Sequence, residues 1–176
     1  KKITKKDISA IILSHMHIDH IGNHLEYVEN IFKENFTNVP CYVSRKEWEF
    51  RSSRLKKADD TYKTYYSSIE KNLILTKEGQ EIYPGVYIRY IGGHTPGHQT
   101  ILICADEVKV FYAGDLIATE AQLLKNRSLP FDFDAEYAKV LRENILTEGF
   151  QNNWIFAMNH APHVKFKFLE KAVKNL

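Results

Sequence analysis

Segment 14–20 reads SHMHIDH and places three imidazoles and one carboxylate within seven residues. Protonated imidazoles this close together would repel one another, whereas a divalent cation requires the neutral ring and removes the conflict. A purification tag is a continuous run of histidines, and it would not follow an apolar stretch such as 11–13. The segment therefore predicts a metal site at the end of a strand, with ligand candidates His15, His17, Asp19 and His20.

Three later residues that can bind metal stand beside glycine or proline next to predicted strands. His94 lies in the turn GGHTPGH at 92–98, Asp115 follows a strand predicted at 108–112, and His160 follows another predicted strand. Rigid scaffolds present ligands to a cleft from such positions. One such residue would be weak evidence for a metal site. Three of them, together with the first segment, indicate one metal centre built from distant parts of the chain.

The elements that would position these residues can be predicted from hydrophobic spacing and turn signals. In the first part of the chain we predict a strand at 9–14 and an amphipathic helix from Ile21 to about residue 35. A strand at 41–43 should follow, and Ser44 with Glu47 should cap a short helix. The tyrosine-rich segment 51–71 is predicted to be helical and to cover the site.

The second part of the chain is rich in short β runs separated by turn signals. A helix should begin at Asp134 and be closed by Gly149. The alternation of strands and helices favours sheets covered by helices. Strands are predicted at 73–75, 80–83, 86–91, 100–104, 108–112 and 154–158, and a final helix at 164–176.

Length and charge limit the classes of function. The 176 residues make one domain, 1–176, and the net charge of +2 comes from interspersed charges of both signs, which argues against a nucleic-acid partner. The sequence has no apolar run of the roughly 20 residues that span a bilayer, so no membrane association is expected. Cys41 and Cys104 read as buried small hydrophobic residues rather than a disulfide, which favours a cytoplasmic location.

In the order of these motifs the chain resembles the metallo-β-lactamase superfamily. The pattern H-x-H-x-D-H comes first, followed by a lone histidine in a Gly/Pro turn, an aspartate after a strand and a late histidine. Within the superfamily, the segments GHTPGHQ, GDLIATEAQL and RKEW resemble the branch that contains N-acyl-homoserine lactonases and methyl-parathion-hydrolase-like enzymes.

The resemblance implies an α/β fold, specifically the four-layer αββα sandwich, with two divalent metal ions in a cleft at the sheet edges. It implies that His15, His17 and His94 hold the first ion. Asp19, His20 and His160 would hold the second, and Asp115 would bridge the two. Nitrogen and oxygen ligands suit zinc in first place, with manganese, iron or cobalt as alternatives. A metal-bridging hydroxide would attack the substrate, with Asp19 also in a catalytic role as the residue that orients it or moves its proton.

Other residues near these motifs have weaker assignments. Trp48, Phe131, Phe133 and His163 are candidates for a substrate pocket, although ordinary core packing or solvation explains each of them as well. His98 follows His94 by four residues and is expected to support the site rather than bind metal.

The sequence departs from the superfamily pattern in two places. The superfamily has several strands before H-x-H-x-D-H, so we expect this domain to be incomplete at its N-terminus, with the strands contributed by a longer protein or by a partner. Many lactonases of the superfamily carry a tyrosine three residues after the bridging aspartate, where this chain has Ala118. That difference favours a resemblance to the parathion-hydrolase-like enzymes over one to the lactonases.

The resulting hypothesis is a dinuclear metal hydrolase that acts on a small lactone, ester or organophosphate. A thioester hydrolase of the glyoxalase II kind is an alternative enzyme. A non-catalytic metal-binding fragment is an alternative of a different class. The expected partner is a small-molecule substrate, and a homodimer stays open.

Overall fold

The computed structural model describes residues 2–162 and 165–168. The chain divides into two units, Lys1–Thr76 and Lys77–Leu176, here called the first and the second unit. Strands and helices alternate in both, which confirms the predicted mixed α/β class. Among the described residues, none of the helices combines the length and the apolar character needed to cross a bilayer.

The first unit is built on a small parallel sheet in the order β1-β4-β5. The core on this sheet joins Val43 of β4 to Tyr66 and Ile69 of α3, all three of them buried. Trp48 of α2 stacks on Tyr66 with 3.9 Å between ring centroids. The elements of this unit are β1 (Ile11–Ile12), α1 (Ile18–Ile21), β2 (Leu25–Val28), β3 (Ile31–Glu34), β4 (Cys41–Ser44), α2 (Arg45–Ser52), α3 (Asp60–Glu70) and β5 (Leu73–Thr76).

The predicted helix over 21–35 is wrong. After α1 and one 3-10 turn, the chain forms the antiparallel hairpin β2–β3. Glu29 and Asn30 at its tip have φ of 52° and 64°, the left-handed pair that a tight two-residue hairpin turn requires. Tyr27 and Phe32 face each other across the strands with their rings 4.9 Å apart. The apolar residues at helical spacing are therefore divided between two short strands.

The other predictions for the first unit hold in part. The strand at 41–43 and the Ser44 cap are confirmed, since the Ser44 hydroxyl accepts a hydrogen bond from the Glu47 N–H at 3.1 Å. The strand at 9–14 is shorter than predicted. The helix over 51–71 begins only at Asp60, because Asp59 caps it by accepting from the Tyr62 N–H at 2.8 Å.

In the part of the second unit that the structure describes, six strands form a sheet in the order β11-β10-β9-β8-β7-β6. The β9–β10 pair is parallel and the other pairs are antiparallel, so α5 lies in the crossover between β9 and β10. Phe111, Trp154 and Phe156 form its aromatic core. The elements are β6 (Glu81–Tyr83), β7 (Val86–Tyr90), β8 (Gln99–Ala105), β9 (Val108–Tyr112), α4 (Glu120–Lys125), α5 (Ala135–Gln151), β10 (Ile155–Ala157) and β11 (Phe166–Phe168).

Two predictions for the second unit are corrected. Gly149 does not close α5, which runs on to Gln151. Its role is close packing, because a Cβ at this position would lie 2.4 Å from the Phe156 ring. The helix predicted at 164–176 is wrong at Phe166–Phe168, which form β11 and pair with β10. Residue 165 is also not helical, whereas residues 164 and 169–176 of that prediction, and His163, lie outside the described residues.

The predicted strands 73–75, 80–83, 86–91, 100–104, 108–112 and 154–158 all have counterparts, whose ends match or differ by one residue. Both cysteines are free, and Cys41 is buried as predicted while Cys104 is half-buried. Burial raises the pKa of the Cys41 thiol to about 12, so it stays protonated near neutral pH.

Candidate metal centre

The H-x-H-x-D-H segment leaves β1 as a loop and then turns into α1. His17 is the residue before α1, and its carbonyl accepts from the His20 and Ile21 N–H groups at 3.0 and 3.2 Å. Asp19 and His20 are therefore both on the short helix α1, rather than in a strand or a loop. His15 is fully buried, whereas the Asp19 side chain is half exposed.

The candidate ligand atoms of the first unit lie close together in pairs. His15 Nε2 is 2.9 Å from His17 Nδ1, and His20 Nε2 is 3.5 Å from Asp19 Oδ2. The rings of His15 and His20 have centroids 4.0 Å apart. Ser14 Oγ lies 3.1 Å from His15 Nδ1, which orients that ring through its other nitrogen.

The backbone between His15 and His17 is held from two helices. The buried Met16 N–H donates to Glu47 Oε1 of α2 at 3.0 Å, and the Met16 carbonyl accepts from the Tyr62 hydroxyl of α3 at 3.1 Å. Glu47 is itself fully buried and accepts from Arg51 Nε at 2.9 Å. Burial raises the pKa of Tyr62, so its hydroxyl remains a donor at neutral pH. Sequence reasoning took Glu47 for a capping residue and missed this contact; its i,i+4 spacing to Arg51 was the available signal.

In the second unit, Asp115 stands between two histidines. It lies in a 3-10 helix, Gly114–Ile117, directly after β9. Its Oδ2 is 3.4 Å from His94 Nε2, and its Oδ1 is 3.5 Å from His160 Nε2. The two oxygens of one carboxylate therefore face two different imidazoles, which is the arrangement that a ligand shared by two cations requires.

Neighbouring residues fix the position of Asp115. Asn159 Nδ2 donates to Asp115 Oδ1 at 2.7 Å, and the Asp115 N–H donates to His98 Nε2 at 3.2 Å. His98 therefore holds the backbone of Asp115, which agrees with the prediction that His98 supports the site. Next to it, Gln122 Oε1 accepts from the Ala118 N–H at 2.9 Å, and the Ala118 carbonyl accepts from the His160 N–H at 3.0 Å. Ala118 thus joins the loops that carry Asp115 and His160.

His94 is held by a residue that sequence reasoning missed. Asp132 Oδ1 lies 2.8 Å from His94 Nδ1, and both side chains are fully buried. The loop of Asp132 also bonds to the turn of His94, since the Phe133 N–H donates to the His94 carbonyl at 3.1 Å. Gly93 has φ of 80°, and a Cβ there would lie 3.0 Å from Ala138 Cα, so only glycine lets the turn approach α5 this closely. An acidic residue between Phe131 and Phe133 was the only sequence signal for Asp132.

The structure leaves the predicted substrate pocket untested. Trp48 is half-buried against Tyr66, whereas Phe131 and Phe133 are exposed, and the Phe131 ring lies 5.8 Å from that of His94. A cavity of about 530 Å³ opens in the first unit beside His17. It is lined by Met16, His17, Ile18, Arg51, Asp59, Thr61 and Tyr62.

The donor atoms fit divalent cations in both chemistry and spacing. All candidates offer nitrogen or carboxylate oxygen, the ligands of zinc and its neighbours in the first transition row. Two atoms that each lie about 2.1 Å from one tetrahedral ion are about 3.4 Å apart. The separations of 3.4 and 3.5 Å around Asp115 match this value, and that of His15 and His17 is somewhat shorter.

Comparisons with known proteins agree with this chemistry. The family profile described as the metallo-beta-lactamase superfamily matches residues 1–157. An N-acyl homoserine lactonase of Bacillus cereus is 29% identical over 151 residues, which are 81% of this chain and 53% of that protein. Another, from Bacillus thuringiensis, is 31% identical over 137 residues, which are 75% of this chain and 47% of that protein. The chain thus spans about half the length of the curated relatives it matches.

A solved structure is similar in fold. The dizinc quorum-quenching lactonase AidC, in complex with a product, matches with a TM-score of 0.80 at 22% identity. The match covers 96% of this chain and 63% of that one. At this identity the similarity concerns the fold alone.

Proposed function

The chain belongs to the metallo-β-lactamase superfamily, and from this membership we propose that the protein is a dinuclear metal-dependent hydrolase of small lactones, esters or organophosphates. The observation that carries the proposal is Asp115, whose two oxygens lie 3.4 and 3.5 Å from nitrogens of two different histidines. A carboxylate placed in this way can bridge two cations, and two cations are what hydrolysis by this route requires.

The proposed ligand set follows the pattern of the family. His15, His17 and His94 would hold one ion, and Asp19, His20 and His160 would hold the other. Asp115 belongs to both sites. The support is the close spacing of donor atoms within each unit, together with the absence of thiolates from the set, which favours zinc while manganese, iron and cobalt stay open.

The bound cations would supply a water acidified to near-neutral pKa and a Lewis acid for the substrate's carbonyl or phosphoryl oxygen. The chain's own residues then position and move protons. Asp19 carries a half-exposed carboxylate, so it can accept the proton of the attacking water and return it to the leaving oxygen. The deeply buried His15 and His94 keep fixed orientations through Ser14 and Asp132.

The substrate class is proposed from the relatives and from the cavity. The curated relatives are named N-acyl homoserine lactonases. The cavity beside His17 is large enough for a small organic substrate and has the apolar side chains of Met16 and Ile18 in its wall. A cytoplasmic location, a homodimer and the absence of a nucleic-acid partner stay predictions from the sequence.

The test measures metal content and turnover on the intact protein. The protein is stripped with a chelator, reloaded with zinc, manganese, iron or cobalt, and assayed in parallel on an N-acyl homoserine lactone, a nitrophenyl ester, a phosphotriester and a glutathione thioester. We expect two equivalents of metal and hydrolysis that is lost on stripping and restored on reloading. Preference for the thioester would favour the glyoxalase II-like alternative. Metal binding without turnover on any substrate would favour the non-catalytic alternative, and turnover unaffected by stripping would contradict the proposal.

A further inference from the structure

We infer that the buried pair Asp132–Arg142 is a positioning clamp that holds the loops of His94 and Asp115 in metal-binding geometry. The inference rests on the proposed function, because it concerns two of the proposed ligands. It adds two residues that belong neither to the ligand motifs nor to the predicted pocket. All contacts involved lie within the second unit.

The Asp132 end of the clamp controls His94. A carboxylate offers only acceptors, so its contact at 2.8 Å makes His94 Nδ1 the protonated nitrogen and leaves the lone pair on Nε2. His94 Nε2 is the atom that faces Asp115 at 3.4 Å. The second oxygen of Asp132 accepts from the Leu129 N–H at 2.8 Å, which fixes the plane of the carboxylate.

The Arg142 end of the clamp reaches the loop of Asp115. Arg142 projects from α5 and is fully buried. Its Nε donates to the Leu116 carbonyl at 2.6 Å, directly after Asp115 in the chain. Its Nη2 lies 4.0 Å from Asp132 Oδ2, and its Nη1 donates to Asn126 Oδ1 at 2.8 Å. One guanidinium thus connects the residue that orients His94 with the 3-10 helix that presents Asp115.

Burial makes both ends of the clamp depend on each other. A buried carboxylate or guanidinium is costly unless it is paired, and removal of one partner leaves the other charge uncompensated. Burial lowers the pKa of Arg142, and the nearby Asp132 opposes that shift. Loss of either side chain should therefore disturb His94 and Asp115 together rather than one of them.

The test compares zinc affinity in Asp132→Asn, Arg142→Met and Arg142→Lys variants of the intact protein. Affinity is measured by competition with a chromogenic chelator, and the unfolding temperature of the metal-free protein is measured alongside. We expect Asp132→Asn and Arg142→Met to weaken zinc binding about 10- to 100-fold, the range typical of residues that orient metal ligands. Arg142→Lys should recover only part of the affinity, because a single ammonium cannot make the three contacts.

Arg89→Met is the matched control. Arg89 Nη1 donates to both carboxylate oxygens of Glu148, which lies on the same helix as Arg142, at 2.9 Å each. The Arg89 guanidinium lies over the rings of Phe111 and Trp154 in the core. Its loss should lower the unfolding temperature while zinc affinity stays near the wild-type value. The double variant Asp132→Asn/Arg142→Met should have about the same zinc affinity as the single variant with the lower affinity, because both substitutions disrupt the same clamp.

Several outcomes would overturn the clamp. One is a loss of zinc affinity in both clamp variants that is no larger than in Arg89→Met, and another is additive losses in the double variant. If Arg142→Met does not fold, Asp132→Asn and Arg142→Lys decide the question. A wild-type protein that binds no zinc would also overturn it, whereas one that binds zinc but hydrolyses none of the substrates would contradict only the proposed function.

Discussion

Asp115 has the central role among single residues, because it faces two histidines with separate oxygens. Asn159 donates a hydrogen bond to its carboxylate, and its backbone N–H donates to His98, so both the side chain and the backbone of Asp115 are held in place. A residue held in this way can be tested by removing its charge while keeping its shape.

Asp115→Asn should lower the bound metal from two equivalents to one or fewer, since an amide cannot bridge two dications as an anion does. Metal content after gel filtration, measured by mass spectrometry, checks this. Asp106→Asn is the control, because Asp106 lies exposed in the turn between β8 and β9 with φ of 50°, which asparagine tolerates. Two equivalents retained in Asp115→Asn would rule out the bridging role.

His24 should make stability depend on pH in the acidic range. It is buried, with Nε2 3.8 Å from Cys41 Sγ, and burial lowers its pKa below the usual value of about 6.5. Protons therefore bind more readily to His24 in the unfolded chain than in the folded one. The contribution of neutral His24 to the free energy of unfolding is fully present above about pH 6.5, and it is lost as the pH falls towards the folded pKa.

We expect His24→Gln to reduce this slope by up to about 1.4 kcal/mol per pH unit, the value for one proton. Urea unfolding from pH 7 to pH 5, in the presence of a chelator so that metal release does not contribute, measures the difference between the two proteins. Parallel stability curves for wild type and variant would show that His24 titrates normally.

Helices α2 and α3 support a candidate ligand segment, because both reach the backbone of Met16 between His15 and His17. In the second unit, α5 packs on the His94 turn at Gly93 and on β10 at Gly149. The loops that carry the proposed ligands are therefore positioned by helices that contribute none of those ligands.

Glu47→Gln should lower the free energy of unfolding by about 3 kcal/mol, as expected when a buried ion pair loses one partner. Its carboxylate is fully buried and serves both Met16 and Arg51. Glu49→Gln on the same helix is the control, because Glu49 is 64% exposed in its 3.9 Å pair with Arg45 and should change stability by less than about 1 kcal/mol. Chemical denaturation of both variants measures this, and equal effects would contradict a special role for Glu47.

Gly149→Ala should destabilise the protein by about 1–3 kcal/mol, although alanine normally favours a helix. The added Cβ would meet the Phe156 ring at 2.4 Å and the Trp154 ring at 3.2 Å. Gly22→Ala provides the opposite case, since no atom lies within 4 Å of its added Cβ and its backbone is right-handed. Thermal unfolding should move down in the first variant and stay level or rise in the second.

At the scale of the whole molecule, the proposed ligands are spread along the sequence from His15 to His160. Metal binding should therefore stabilise the native chain as a whole. Zinc at about 100 times its Kd contributes about 2.7 kcal/mol, which corresponds to a rise of roughly 5–10 °C in Tm for a chain of this size. Differential scanning calorimetry with and without zinc measures it, and calcium, which prefers oxygen ligands, serves as the control ion. A Tm that responds equally to both ions would argue against a nitrogen-rich centre.

The sequence by itself determined the superfamily, the candidate ligands and most strands, because ligand motifs and turn residues are local features that survive in a single chain. It did not distinguish the β2–β3 hairpin from a helix, since short apolar segments fit both periods and the left-handed turn at Glu29 and Asn30 has no strong local signature. Gly149 was likewise read as a helix end, whereas its role is close contact with Phe156 of the following strand, β10.

Only the tertiary structure revealed that Glu47, Asp132 and Arg142 support the loops of the proposed ligands. Each acts through a partner more than 20 residues away in the chain, at Met16, His94 and Leu116. The packing of helices against loops brings such partners together. The spacing of residues in a single sequence does not predict which residues will meet in this way. A motif is recognised from residues that are close together in the sequence. The orientation of its side chains depends on contacts that exist only once the chain has folded.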